Sequence, residues 1–284
     1  MKAMERAYTL GLYEKAMPSD LTWREKLLAA KEAGFDFVEI SIDETDAKLS
    51  RLDMTKEERF GLVRLMQETG VPIRTMCLSG HRKYPLGSSD PAVEARGIEI
   101  MEKAIRLAED LGIRIIQLAG YDVYYEESTF ETKKRFLANL KKAADMAAKA
   151  GVTMGFETME NEFMNTVEKA MKYVTLVGSP YLNVYPDIGN ITNAAKTYEN
   201  DVLEDLELGK GHIVAMHLKE TVPGKFREIP FGTGHVDFES AVTKAWELGV
   251  RKYVTEFWYT GNPGWKEDLT FANEMFTRIL NGRA

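Results

Sequence analysis

The sequence predicts a (β/α)8 barrel, and three observations carry that prediction. Helical stretches end in glycine, with apolar residues directly after, at Gly34, Gly70, Gly112, Gly151 and Gly249. A glycine at a helix carboxyl end admits the left-handed backbone of a short turn into a strand. Strand-helix units follow one another at spacings of roughly 30 to 40 residues, and eight of them fit a chain of 284 residues. The competing fold, an open doubly wound sheet, usually opens with Gly-x-Gly-x-x-Gly after its first strand. Gly11-Leu12-Tyr13 supplies no such turn. No linker or composition shift divides the units, so residues 1–284 are expected to form one domain.

The first strand is expected over residues 9–12, followed by Glu14 and a break at Pro18-Ser19-Asp20. Thr22 and Glu25 have capping-box spacing, and Trp23, Leu27 and Ala30 give the helix after them one apolar face. The second strand is read over 35–40. Thr55 with Glu58 opens the next helix, which runs through Met66 to Gly70, and a strand is read over 71–78. Ile98, Met101, Ile105 and Ala108 mark a long helix, with a strand over 113–118 after it. Phe136, Leu140, Ala143 and Ala147 mark another, with a strand over 152–156. A helix over 166–177 leads to a strand over 181–185, and a helix over 202–208 to a strand over 212–217. The last unit pairs a helix over 238–248 with a strand over 253–255, and a helix over 269–280 closes the chain.

Composition narrows the function. A net charge of -7 argues against a nucleic-acid surface. One cysteine, Cys77, excludes an internal disulfide and suits a reducing cytoplasm. Residues 1–8 show no signal-peptide core, and no apolar run approaches the roughly 20 residues of a membrane helix. Neither a nucleic-acid nor a membrane partner is expected.

The chemistry gathers at strand ends, where α/β barrels place ligands. Four successive strands finish in Glu157, Asp187, His217 and Glu256. In the seventh, Ile213, Ala215 and His217 are expected to look into the barrel, and His212 sits at its structural bottom end. Three converging carboxylates repel strongly at low dielectric unless a cation lies between them. Three oxygens and one imidazole suit one divalent ion, Mn²⁺ or Zn²⁺, with Mg²⁺ also possible. Glu39, on the second strand, has no expected role beyond a possible substrate contact.

Longer stretches carry a resemblance. Gly11-Leu12-Tyr13-Glu14-Lys15-Ala16, Tyr84-Pro85-Leu86-Gly87-Ser88, the run from Gln117 to Tyr125, and Tyr185-Pro186-Asp187-Ile188-Gly189-Asn190 are all similar to one family. The chain resembles the bacterial L-ribulose-5-phosphate 3-epimerases, also called L-xylulose-5-phosphate 3-epimerases, of the sugar-phosphate isomerase/epimerase barrels. The resemblance implies a metal held by Glu157, Asp187, His217 and Glu256, with Glu157 and Glu256 as the acid/base pair. It implies a small phosphorylated ketose as substrate, a place in L-ascorbate catabolism, and a cytoplasmic homodimer. Related free-ketose epimerases carry a histidine where this chain has Asn190 and an arginine where it has Val222, which argues against a free ketose.

Lys219, Asn190, His81 and Glu14 are the expected substrate contacts. Gly232 and Gly234 could offer backbone N–H groups to a phosphate. Cys77 is expected to be a buried small hydrophobe. Aldose-ketose isomerisation or dehydration on the same barrel is the alternative chemistry, and a non-catalytic sugar-phosphate binder is the other alternative. A multi-zinc nuclease is discounted, since the chain has four histidines.

Overall fold

In the computed structural model, which describes residues 6–283, eight parallel strands form one sheet. They are β1 Thr9–Tyr13, β2 Phe37–Ile42, β3 Ile73–Leu78, β4 Ile115–Ala119, β5 Thr153–Glu157, β6 Leu182–Val184, β7 Met216–Leu218 and β8 Lys252–Thr255. Neighbours run β6-β5-β4-β3-β2-β1-β8-β7. Isolated parallel bridges then join the two ends, at Val184 with Ile213 and at Asp187 with His217. Val214 N–H donates to Val184 O at 3.0 Å and His217 N–H to Pro186 O at 2.9 Å, so the barrel closes. Most of the amino end read for a targeting segment lies outside the described residues.

The helices are α1 Trp23–Glu32, α2 Asp46–Leu49, α3 Lys56–Thr69, α4 Pro91–Leu111, α5 Phe130–Ala150, α6 Val167–Val177, α7 Ile188–Tyr198, α8 Val202–Glu207, α9 Phe238–Glu247 and α10 Trp265–Asn281. Both expected capping boxes form: Thr22 and Glu25 satisfy each other's backbone N–H groups at α1, and Thr55 and Glu58 do so at α3. All five helix-end glycines have positive φ, between 65° at Gly151 and 89° at Gly249. No helix is long and apolar enough to cross a membrane among the described residues.

Three expectations shift. β2 begins at Phe37 rather than at residue 35, because Phe35 still packs in the helix-side core as the turn from α1 ends. α2 and α7 are helices beyond those the sequence predicts. β7 pairs with β8 only over Met216–Leu218, and the preceding residues serve the bridge to β6 instead. The expected alternation also breaks there. Ile213 packs with the outer core, while Val214 and Ala215 both join the cluster inside the barrel.

That inner cluster contains Tyr13, Phe37, Cys77, Ile115, Tyr185, Ala215 and Val254. It plugs the barrel below the mouth, so the polar strand ends rest on a dry floor. Gly155 makes room for it, since a Cβ there would lie 2.9 Å from Tyr185 Cβ and from Val214 Cγ2. Cys77 is buried in this floor, as expected.

Candidate metal centre and active site

The four strand-end residues come together. Glu157, Asp187, His217 and Glu256 are all buried, and one ligand atom from each lies within 4.8 Å of the others. Each is placed by a different local device. Asp187 caps α7, and its Oδ1 accepts the Asn190 N–H at 2.7 Å, which turns Oδ2 into the barrel mouth. Its own N–H donates to Thr158 Oγ1 at 3.0 Å. Glu157 accepts from Gln117 Nε2 on the neighbouring strand through Oε2, which leaves Oε1 facing His217 Nδ1 at 3.4 Å. Glu256 N–H donates to Leu218 O at 2.9 Å, which keeps this end of β8 in register with β7.

His217 is the hub. Its Nδ1 faces Glu256 Oε2 at 3.1 Å, Glu157 Oε1 at 3.4 Å and Asp187 Oδ2 at 3.9 Å. Its Nε2 lies 2.7 Å from Glu39 Oε1. Lys219, on the same side as expected, places Nζ 2.8 Å from Asp187 Oδ2 and 3.5 Å from Glu256 Oε2.

The electrostatics follow from burial and crowding. Burial pushes the Glu157 carboxyl up, and Glu256 beside it adds to the shift. Burial and Glu256 hold Asp187 well above its usual range against the pull of Lys219. Glu256 goes the other way: burial opposes ionisation, but Lys219 and His217 outweigh it and hold the carboxyl well down. Burial alone would lower the His217 imidazole, yet Glu39 and Glu256 raise it well above its usual value. Carboxylates whose environments push them apart are what acid/base work requires.

The donor set fits a divalent cation. Asp187 Oδ2 and Glu256 Oε2 are buried and accept no well-aligned hydrogen bond, although nearly all buried polar atoms in proteins do. These two oxygens, the first also approached by Lys219 at 2.8 Å, converge with Glu157 Oε1 and His217 Nδ1 on one small volume. Oxygen-rich donors with a single imidazole suit Mn²⁺, Mg²⁺ or Zn²⁺ better than a soft ion.

Above the cluster opens a pocket of about 210 Å³. Lys15, Arg82, Lys219 and Arg227 bring positive charge to its lining against the carboxylates of Asp43, Glu44, Glu157, Glu160 and Glu256, and Lys15 is paired to Asp43 at 2.5 Å. Glu160 on the rim reaches both arginines, at 3.8 Å from Arg82 and 3.6 Å from Arg227, and accepts the Tyr121 hydroxyl at 3.0 Å. Of the expected substrate contacts, Lys219 and Asn190 line this pocket. Asn190 donates Nδ2–H to Thr158 O at 2.7 Å and keeps Oδ1 free.

Two expected contacts, His81 and Glu14, do not line this pocket. His81 is buried against α4, its Nε2 3.0 Å from Gly97 O, and burial lowers its ring to about 4. The short turn after β3 points Arg82 into the pocket in its place. Glu14 is fully buried beneath the mouth, where it accepts from Arg51 at 2.6 Å and from Lys48, with Lys26 at 3.5 Å. Its carboxylate is consumed by those cations. Of the two loop glycines, Gly232 N–H donates to Glu220 Oε2 at 3.0 Å, and both Gly232 and Gly234 line a different surface hollow from the one above the cluster.

Gln117, Tyr185 and Arg82 are site groups for which the sequence suggests no role, and Glu39, for which it suggests at most a substrate contact, lies against His217 instead. Arg82 could have been found as the neighbour of His81. The others sit inside strands, where nothing local separates a working polar residue from a packed one.

Comparison with known proteins completes the picture. The family described as xylose isomerase-like TIM barrel matches residues 27–275. The L-ribulose-5-phosphate 3-epimerase UlaE of Salmonella paratyphi C is 50% identical over 256 residues, covering 90% of this chain and 89% of the relative. UlaE of Escherichia coli (strain SMS-3-5 / SECEC) is 49% identical over the same length. Among solved structures, D-psicose 3-epimerase superposes with a TM-score of 0.80 at 15% identity, over 96% of this chain and 99% of the other. L-ribulose 3-epimerase gives 0.76 at 20% identity, over 97% and 95%. The structural likenesses speak for the fold. Half-identity along nine-tenths of the sequence goes further: the chain belongs to the L-ribulose-5-phosphate 3-epimerase family of xylose isomerase-like TIM barrels.

Proposed function

We propose that this chain is a divalent-metal-dependent 3-epimerase that interconverts L-xylulose 5-phosphate and L-ribulose 5-phosphate. The observation that carries this reading is the pair Glu157 and Glu256. They end strands three steps apart around the barrel and share one buried cluster with Asp187 and His217. Inverting a carbon centre needs a proton removed from one face and another delivered to the opposite face. Two carboxyl groups reaching in from separate strands can stand on either side of a sugar.

Glu157, Asp187, His217 and Glu256 would hold the cation. When bound, it supplies Lewis-acid polarisation of the C2 carbonyl and stabilises the negative charge that builds on oxygen. Glu256, held ionised by Lys219 and His217, is suited to take the C3 proton. Glu157, three strands away around the barrel, is suited to return one to the other face. In the reverse direction the roles exchange. Lys219 would bind a substrate oxygen next to the reacting carbon, and Asn190 Oδ1 would accept from a sugar hydroxyl. Arg82 and Arg227, which meet Glu160 only at 3.8 Å and 3.6 Å, would supply the cations that a phosphorylated substrate calls for.

The test of substrate class is turnover of L-xylulose 5-phosphate against unphosphorylated L-xylulose, each with Mn²⁺, Zn²⁺ or Mg²⁺ added. The phosphate ester should be preferred by at least about 100-fold in kcat/KM, the loss of one charge-assisted pair or more. Equal turnover of the free sugar would remove the phosphate from the proposal. A cytoplasmic homodimer of single-domain subunits acting in L-ascorbate breakdown is proposed on the family resemblance. Sedimentation at micromolar concentration checks the dimer, and a monomer there would end that part.

A further inference from the structure

We infer that Glu39 is a positioning residue that fixes the tautomer of His217, so that Nδ1 and not Nε2 is presented to the cation. The inference rests on the metal reading above and deepens it. Glu39 stands on β2, and His217 on β7 lies three strands away around the barrel wall. The carboxylate therefore reaches across the interior, below the four-residue cluster. Both side chains have zero exposure. Glu39 Oε1 lies 2.7 Å from His217 Nε2, and Glu39 Oε2 accepts the Tyr185 hydroxyl at 3.0 Å.

A carboxylate has only acceptors to offer, so the ring nitrogen beside it must carry the proton. In a neutral imidazole the other nitrogen then holds the lone pair. That nitrogen is Nδ1, which faces Glu157, Asp187 and Glu256. Tyr185 in turn leaves Glu39 one orientation, because its hydroxyl occupies the second carboxylate oxygen. The Tyr185 ring also packs edge-on to the imidazole, with centroids 4.8 Å apart, and so limits its rotation. The chain Tyr185–Glu39–His217 thus sets the direction of the single nitrogen ligand. Carboxylate partners of metal-bound histidines typically contribute about 10–100-fold in affinity.

The direct test is NMR of the full-length wild-type protein, labelled with 15N-histidine and loaded with Zn²⁺. The expected result is a His217 ring protonated at Nε2 and shifted by zinc at Nδ1. Zinc at Nε2 would overturn the inference while leaving the metal site intact. Failure of the wild-type protein to take up one Zn²⁺ would overturn the site reading itself, and the inference with it. Chelator competition gives a second readout. Glu39→Leu should weaken Zn²⁺ binding by about 10–100-fold. Glu39→Gln, whose amide oxygen can still accept from Nε2, should lose less, and Tyr185→Phe less again. Unchanged zinc affinity in a folded Glu39→Leu variant contradicts the inference, and if that variant does not fold the wild-type spectrum decides.

Discussion

Two buried ion clusters lie near the barrel mouth, and they are built on opposite terms. Around Glu14, one carboxylate is surrounded by Lys26, Lys48 and Arg51. Around His217, the carboxylates of Glu39, Glu157, Asp187 and Glu256 meet one lysine and one imidazole. The first has cations to spare. Its carboxyl is held down to about 2, because Arg51, Lys48 and Lys26 together outweigh the effect of burial. The second lacks positive charge and leaves two buried oxygens without aligned donors. A buried carboxylate alone therefore signals little. The balance of charge around it separates a support from a site: Glu14 is finished by protein groups, whereas the His217 cluster has a donor set that fits a cation from outside.

The largest test of this contrast is to neutralise one acid in each cluster. Glu157→Gln or Glu256→Gln should cut kcat by about 10³-fold or more, since each removes both an acid/base group and a metal donor. The metal-free Glu157→Gln protein should unfold at the parent's temperature or higher, because a repulsive charge has gone, whereas Glu256→Gln should unfold lower, because Lys219 and His217 lose the carboxylate they hold ionised. Near-normal turnover in either variant would sink the assignment.

Glu14→Gln should do the reverse and destabilise the metal-free protein by about 3–5 kcal/mol in denaturant titrations, since it strands buried cations. The pH dependence has a definite sign. Glu14 titrates at about 2 when folded, against 4.5 as its ordinary value. Its contribution, about 3 kcal/mol, is thus present above pH 4.5 and lost as the pH falls toward 2. The Glu14→Gln variant should show a flatter acid limb, and an unchanged limb would count against the support role.

Metal should stabilise only through the second cluster. At a hundredfold excess over Kd, Mn²⁺ should add about 2.7 kcal/mol to unfolding stability. The gain should persist in Glu14→Gln and vanish in Asp187→Asn. Smallest of all, Lys219→Met should raise KM by about 10-fold, as expected for one lost charged hydrogen bond. It should leave cation affinity unchanged or tighter, because Lys219 Nζ stands 2.8 Å from a proposed ligand oxygen.

Much of the fold was legible because its signals are local. Thr22 with Glu25, Thr55 with Glu58 and the terminal glycines act within a few residues of chain. The four-residue cluster was legible because each member interrupts an apolar run at a strand end. What escaped reading depends on distant partners or on turn geometry. Asp187 was seen as a strand end, but the Asn- and Thr-rich segment behind it hid α7, which it caps. His81 and Arg82 differ by one step of a tight turn, and that step decides which one faces the pocket. Glu39 looked like a bystander, since its partner His217 lies 178 residues away. Glu14 looked like a mouth residue, since Lys26, Lys48 and Arg51 come from later segments that fold over it.

The central claim is that the His217 cluster, loaded with a cation, exchanges the proton at C3 of a ketose phosphate. The most direct measurement is NMR of L-xylulose 5-phosphate incubated with the metal-loaded protein in D2O. The account predicts deuterium at C3 in both epimers and at no other carbon, with no exchange after chelation. Label at C1, or an intact C3 proton while the sugar is bound and metal is present, would contradict it.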